Sequence, residues 1–178
     1  MAAGLLLLNA SDGSIISEDD KFFARPGQWA FAADLKTVWL RVDEATEGDI
    51  VRYDTATRTR EVLYRSPVWR QSDGTAAPNL SGPVLSPDET SLIFSRYTQD
   101  RSQEVYTLPS AGGTATMIFK GGTYSTFGPW SPDGAYVAIT VDSSTPTQRM
   151  RLVDPRTGAI IAVTTGPGFI AFLAWIVS

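Results

Sequence analysis

A turn centred on one aspartate recurs along this chain, and its spacing constrains the fold more tightly than any other feature. Three segments carry it: Trp29-Ala-Phe-Ala-Ala-Asp34-Leu-Lys-Thr-Val-Trp-Leu40, Pro83-Val-Leu-Ser-Pro-Asp88-Glu-Thr-Ser-Leu-Ile-Phe94 and Gly128-Pro-Trp-Ser-Pro-Asp133-Gly-Ala-Tyr-Val-Ala-Ile139. Each reads as a short strand, a turn and a hydrophobic strand. The aspartates stand 54 and 45 residues apart. A second unit, strand–polar turn–strand, follows each of these and also precedes the first. Its turns end at Gly13, Arg58, Gly113 and Gly158, spaced by 45, 55 and 45. The one long interval falls in the same place in both series, so a single insertion over roughly residues 66–82 accounts for it.

No segment shows a sustained 3.6-residue period. Short runs of Val, Ile, Leu, Tyr, Trp and Thr are broken by Gly, Pro, Asp and Ser clusters, the pattern of an all-β chain with many short strands. A period near 45 residues with four strands in each is that of a β-propeller blade. Blades stack because each sheet has two apolar faces that one copy cannot cover alone. The turn chemistry agrees. Ser131-Pro132-Asp133-Gly134 places Pro at the second position of a type I turn and Gly where positive φ is wanted.

Ser86-Pro87-Asp88 and Ser131-Pro132-Asp133-Gly134, each followed by a hydrophobic strand and then a hairpin, resemble the WD-like Pro-Asp repeat of TolB-like propellers. The hairpin turn Asp154-Pro155-Arg156-Thr157-Gly158 adds to the likeness, which covers about residues 28–166. Related repeats occur in propellers attached to serine peptidases of the prolyl-oligopeptidase and dipeptidyl-peptidase type. The resemblance implies a non-catalytic binding module for a protein or peptide partner, in a periplasmic or extracellular setting. Its alternative implication is the substrate-gating portion of such a peptidase. Two departures stand out: Ala32-Ala33-Asp34-Leu35 lacks Ser, Pro and Gly, and Glu89 replaces the expected Gly, so the second turn is expected to differ locally.

Strands are labelled A (inner) to D (outer) within a blade. A-type segments lie near 28–33, 82–87, 126–131 and 169–175, B-type near 37–42, 91–96 and 136–141, and C–D hairpins near 4–17, 50–64, 104–119 and 149–164. The expected fold is one all-β propeller domain over 1–178 of four-stranded antiparallel blades. Three are complete, at about 28–64, 82–119 and 126–164, with a half-blade hairpin at 4–17 and a lone strand at 168–176. TolB-like propellers resemble six-bladed rings, so the chain reads as part of a larger propeller, with a small or irregular complete propeller as the alternative. Unpaired apolar edges at Gly4–Asn9 and Gly168–Trp175 would then invite self-association.

Composition narrows the chemistry. With no His, the chain can build no Ser-His-Asp triad and lacks the commonest transition-metal ligand. With no Cys it has no disulfide, thiolate metal site or thiol nucleophile. A net charge of −4 argues against nucleic-acid binding through bulk charge. The four leucines at 5–8 follow no basic residue and read as a strand rather than a signal peptide, and no stretch reaches the ~18 apolar residues of a membrane span. No cofactor is expected, and no enzymatic activity within the chain.

Antiparallel strands put the A–B and C–D turns at one end of each blade and the B–C and D–A connections at the other. The first set is short and regular, which suits a structural role for Asp34, Asp88, Asp133 and Gly134. The second set is variable, and recognition usually sits on such loops. Trp69 and Arg70, together on the insertion, fit an interface anchor, unless Trp69 folds back over the blade edge. Tyr97 with Arg101 forms a second candidate, and Tyr124 on the connection after Lys120 a third. Trp29, Trp39, Trp130 and Trp175 read as core residues, and Asp43, Glu44, Glu47 and Asp49 as a solvated loop whose spacing fits no EF-hand.

Overall fold

The computed structural model describes residues 5–8, 11–19, 29–43, 47–67, 69–70, 76–77, 79–100, 102–121, 125–141 and 147–167. These residues form strands and turns, with no helix among them. The expected lone strand at 168–176, Trp175, Arg101 and Tyr124 lie outside the described residues.

Strand β1 (Leu5–Leu8) pairs antiparallel with β2 (Ile15–Asp19) as a two-stranded hairpin. Blade 1 is β3 (Trp29–Phe31), β4 (Thr37–Asp43), β5 (Glu47–Asp54) and β6 (Thr59–Pro67), paired in chain order. A short ladder, β7 (Trp69–Arg70) with β8 (Ala76–Ala77), occupies the insertion. Blade 2 is β9 (Val84–Leu85), β10 (Ser91–Tyr97), β11 (Gln103–Pro109) and β12 (Thr116–Gly121). Blade 3 is β13 (Ser125–Trp130), β14 (Val137–Val141), β15 (Thr147–Val153) and β16 (Ile160–Pro167). All pairings are antiparallel, which gives three four-stranded meanders. The chain divides into two compact units, Met1–Pro83 and Val84–Ser178. The first holds blade 1, the β1–β2 hairpin and the insertion; the second holds blades 2 and 3.

In the second unit one core joins the two sheets. Ile93, Val105, Ile118 and Phe119 of blade 2 pack with Trp130, Val137, Ile139 and Val153 of blade 3, all buried. Burying each of these side chains stabilises by ~1.5–3 kcal/mol, so this face fixes the stacking of the blades. The Trp130 indole N–H donates to the Val84 carbonyl across the junction at 3.3 Å, and the Arg151 guanidinium lies 5.2 Å from the centre of the Phe119 ring. In the first unit Val38, Leu40, Val42, Val51 and Tyr53 form the core, with Phe31 packed on it.

The turn ends of blades 2 and 3 match nearly atom for atom, and blade 1 matches them in part. In blades 2 and 3 the Ser86 and Ser131 hydroxyls donate to Asp88 and Asp133 Oδ1, both at 2.6 Å. Each hydroxyl also accepts a backbone N–H five residues on, from Ser91 at 3.0 Å and Tyr136 at 2.8 Å. Each aspartate in turn accepts the N–H two residues after it, Thr90 at 3.1 Å and Ala135 at 3.0 Å. Blade 1 keeps the last bond, Lys36 N–H to Asp34 Oδ1 at 2.9 Å, but Ala32 stands where the serine would be.

The expectation of a different turn in blade 2 is overturned. Glu89 adopts φ +58°, Leu35 φ +58° and Gly134 φ +69°, so the residue after each aspartate is left-handed whether or not it is glycine. The backbone bond across each turn is the same: Leu35 to Ala32, Glu89 to Ser86 and Gly134 to Ser131, at 3.0, 2.9 and 2.8 Å. The surrounding bonds impose the conformation, at ~1–2 kcal/mol for each non-glycine residue. The C–D turn ends behave alike: Gly13, Arg58, Gly113 and Gly158 all have positive φ.

Trp39 and Trp130 are buried as expected, but Trp29 is 41% exposed. The register explains the difference. Trp130 lies three residues before its turn aspartate; the residue three before Asp34 is Phe31, and Phe31, partly buried, packs on the core. Trp29 lies two residues earlier, at the outer end of a three-residue edge strand. Asp49 also departs from a solvated loop. It is buried on β5, with Arg65 Nε 3.4 Å from its carboxylate. Glu44 lies outside the described residues, and among those described no group of three or more His, Cys, Asp or Glu is placed to hold a metal ion.

Candidate functional site

Three places are candidates: the insertion after blade 1, the loop end of blade 2, and a cleft at the turn end of blades 2 and 3. The first is a built element. Arg41 Nη1 donates to the Leu80 carbonyl, and Asn79 Nδ2 donates to Ser66 Oγ at 3.0 Å. Leu80 is buried against Gly48, where an added Cβ would come within 3.3 Å of Leu80 Cδ1. Gly48 thus leaves room for the leucine that anchors the loop. With its C-terminal base held in this way, the insertion places Trp69 opposite Ala77 and Arg70 opposite Ala76 in the β7–β8 ladder.

At the loop end of blade 2, Tyr97 closes β10 opposite Gln103 and is half-buried. The loop beyond it is tight. Asp100 Oδ1 accepts from the Thr98 hydroxyl, from the Ser102 hydroxyl at 2.8 Å and from the Ser102 N–H at 3.1 Å. These bonds hold its carboxyl well below the usual aspartate range. Next to it, Glu104 is buried on β11, and burial alone would raise its pKa. Hydrogen bonds from the Tyr106 hydroxyl at 2.8 Å and from Arg96, whose Nη2 is 2.5 Å away, outweigh burial and keep it ionised. Lys120 Nζ lies 3.4 Å from the same carboxylate, and Arg96 also sits over the Tyr106 ring. This network ties three strands of the blade, and every charge in it has a partner.

The cleft lies at the end read from sequence as purely structural. It has a volume of about 330 Å³ between the turns of blades 2 and 3. Leu108, Trp130 and Pro155 are its buried walls, and Asp88, Asp133, Arg156 and several threonines stand around them. The two carboxyls are held below the ordinary aspartate range, first by the serine hydroxyls at 86 and 131 and then by backbone N–H groups. The aspartates were legible as turn formers. Their convergence on a cleft was not, because it depends on how two blades stack.

No protein-family model matches the chain, and no curated protein matches it. Solved structures do. TolB from Acinetobacter baumannii aligns over 87% of this chain at 21% identity and TM-score 0.60. The β-propeller domain of the trilobed protease from Pyrococcus furiosus aligns over 83% at 15% identity and TM-score 0.58. An oligogalacturonate lyase solved with manganese aligns over 94% at 13% identity and TM-score 0.63. The chain spans 36%, 46% and 49% of these three structures. At such identities the likeness establishes the fold alone: the chain folds as β-propeller blades, each a four-stranded antiparallel sheet.

Proposed function

We propose that the chain is a non-catalytic binding module that engages a protein or peptide partner through its loop end, with the insertion carrying Trp69 and Arg70 as the principal contact element. The observation that supports this is the insertion's construction. Its base is locked by Arg41, Asn79 and Leu80, and Trp69–Arg70 pairs with Ala76–Ala77 as a two-stranded ladder. An anchored loop on a rigid sheet loses little entropy on binding, and a Trp–Arg pair supplies the residue types that dominate interface energetics. Tyr97, with Arg101 and Tyr124 as read from the sequence, is proposed as a separate, secondary contact of the second unit. Edge-strand self-association belongs to the same proposal.

The test is selection of a displayed peptide library against the immobilised chain, repeated with Trp69→Ala/Arg70→Ala. Enriched peptides should lose at least tenfold in affinity for the variant, while its thermal transition stays unchanged. Undiminished binding to the variant would refute the assignment.

A second reading is supported by the resemblance to a protease propeller and to Pyrococcus horikoshii acylaminoacyl peptidase. In it, the blades gate substrate access to a hydrolase domain encoded elsewhere in the same gene. A Gly-x-Ser-x-Gly elbow with later Asp and His in the gene would favour that reading. Peptidase turnover by the purified chain would overturn both.

A further inference from the structure

We propose that the cleft between blades 2 and 3 binds a cationic side chain, lysine or arginine, of a partner polypeptide. The cleft lies wholly within the second unit, so the proposal stands apart from the role of the insertion. Three features select this ligand. The first is size and mixed polarity: about 330 Å³, lined by Leu108, Trp130 and Pro155 together with threonines such as Thr107 and Thr116, has room for an aliphatic stem that ends in a polar head.

The second is fixed charge. Asp88 and Asp133 are exposed at the mouth, one from each blade. Each is clamped through Oδ1 by a serine hydroxyl and a backbone N–H, which holds both carboxylates in place. No Lys or Arg among the described residues forms an ion pair with either. Arg156, the one cation lining the cleft among the described residues, pairs with its own neighbour Asp154, with Nε at 3.3 Å, and its charge also reaches Asp133, which leaves the carboxylates in excess. The cleft therefore presents net negative charge.

The third is stacking. Asp88 and Asp133 line one cleft because the turns of adjacent blades approach closely. Pro87 Cδ would lie 3.8 Å from a Cβ at position 134, and the Ile118 carbonyl meets the Gly158 turn on the other side. A cation entering here meets two preplaced carboxylates without reorganising the protein, which is the condition for a useful ion pair at an exposed site.

The experiment is amide NMR of the whole chain titrated separately with N-acetyl-lysine methylamide, N-acetyl-glutamate methylamide and glucose. The proposal expects shifts confined to the lysine analogue and centred on the Trp130 indole, Thr107 and Gly134. They should weaken with added salt. Asp133→Asn should lower the affinity about tenfold. Thr114→Lys, which leaves both turns intact and supplies a competing cation, should abolish the shifts. Spectra of both variants away from the cleft report whether they are folded. Shifts at the cleft with the glutamate analogue or glucose would overturn the proposal. So would none with the lysine analogue, or lysine shifts untouched by either substitution.

Discussion

Substituting Gly158 by alanine probes the contact that stacks blade 3 on blade 2. Gly158 has φ +72°, and an alanine Cβ there would lie 2.8 Å from the Ile118 carbonyl oxygen and 3.4 Å from its carbon and Cα. All three are backbone atoms of β12, which no rotamer change can move. Two penalties add. Left-handed backbone costs a non-glycine residue ~1–2 kcal/mol, partly offset by ~0.4–1 kcal/mol because alanine lowers the entropy of the unfolded chain. The overlap with β12 then forces the blades apart, an overpacking cost of ~1–3 kcal/mol. Gly134→Ala is the internal control. Its φ is +69°, but the nearest atom is Pro87 Cδ at 3.8 Å, an ordinary contact. Gly134→Ala should therefore cost about 1 kcal/mol, and Gly158→Ala ~2–4 kcal/mol. Thermal unfolding followed by circular dichroism resolves this, since ~2–4 °C accompanies each kcal/mol in a chain of this size. Equal destabilisation by the two substitutions would refute the close approach of the blade 3 turn to β12.

Three further substitutions test the turns. Ser131→Ala removes a donor to Asp133 and the acceptor of the Tyr136 N–H, both near the blade 3 core, and should cost about 1–2 kcal/mol by urea denaturation. Glu89→Gly should match or exceed the parent stability, because relief of left-handed strain outweighs the added unfolded-state entropy; a loss above ~1 kcal/mol in the same assay would contradict it. Asp88, Asp133 and Asp154 have folded pKa values below their ordinary 3.8. The unfolded chain binds more protons in that window, so their contribution is present above pH 3.8 and is lost as pH falls through the folded values. Urea midpoints measured from pH 5 to pH 2 should fall, and Asp133→Asn should flatten the slope.

The blade framework was legible because its punctuation is local. Positions 13, 58, 113 and 158, picked out by spacing, are all left-handed in the structure. The Ser-Pro-Asp turns show their bonds in the residue types themselves, since only a short hydroxyl and a carboxylate two residues apart can close that ring. What depended on tertiary context was harder to read. Glu89 gave no sign that it would take a glycine's backbone, because the bonds around it impose the conformation. Trp29 was assigned to the core by residue type, yet a two-residue offset hands that place to Phe31. The anchor between Arg41 and Leu80 joins residues 39 apart, and no periodicity announces it. Tyr97 was legible as a loop-end residue, but the Glu104 network beside it was not, because β-pairing brings it together from three strands.

Residue-resolved amide hydrogen exchange on the native chain tests the propeller assignment most directly. The account predicts three protected blocks of paired central strands, Thr37–Asp43 with Glu47–Asp54, Ser91–Tyr97 with Gln103–Pro109, and Val137–Val141 with Thr147–Val153. It also predicts slow exchange at the Ser91 and Tyr136 amides, which a serine hydroxyl accepts in blades 2 and 3. Protection that does not repeat with the blades, or fast exchange at both of those amides in a folded chain, would contradict it.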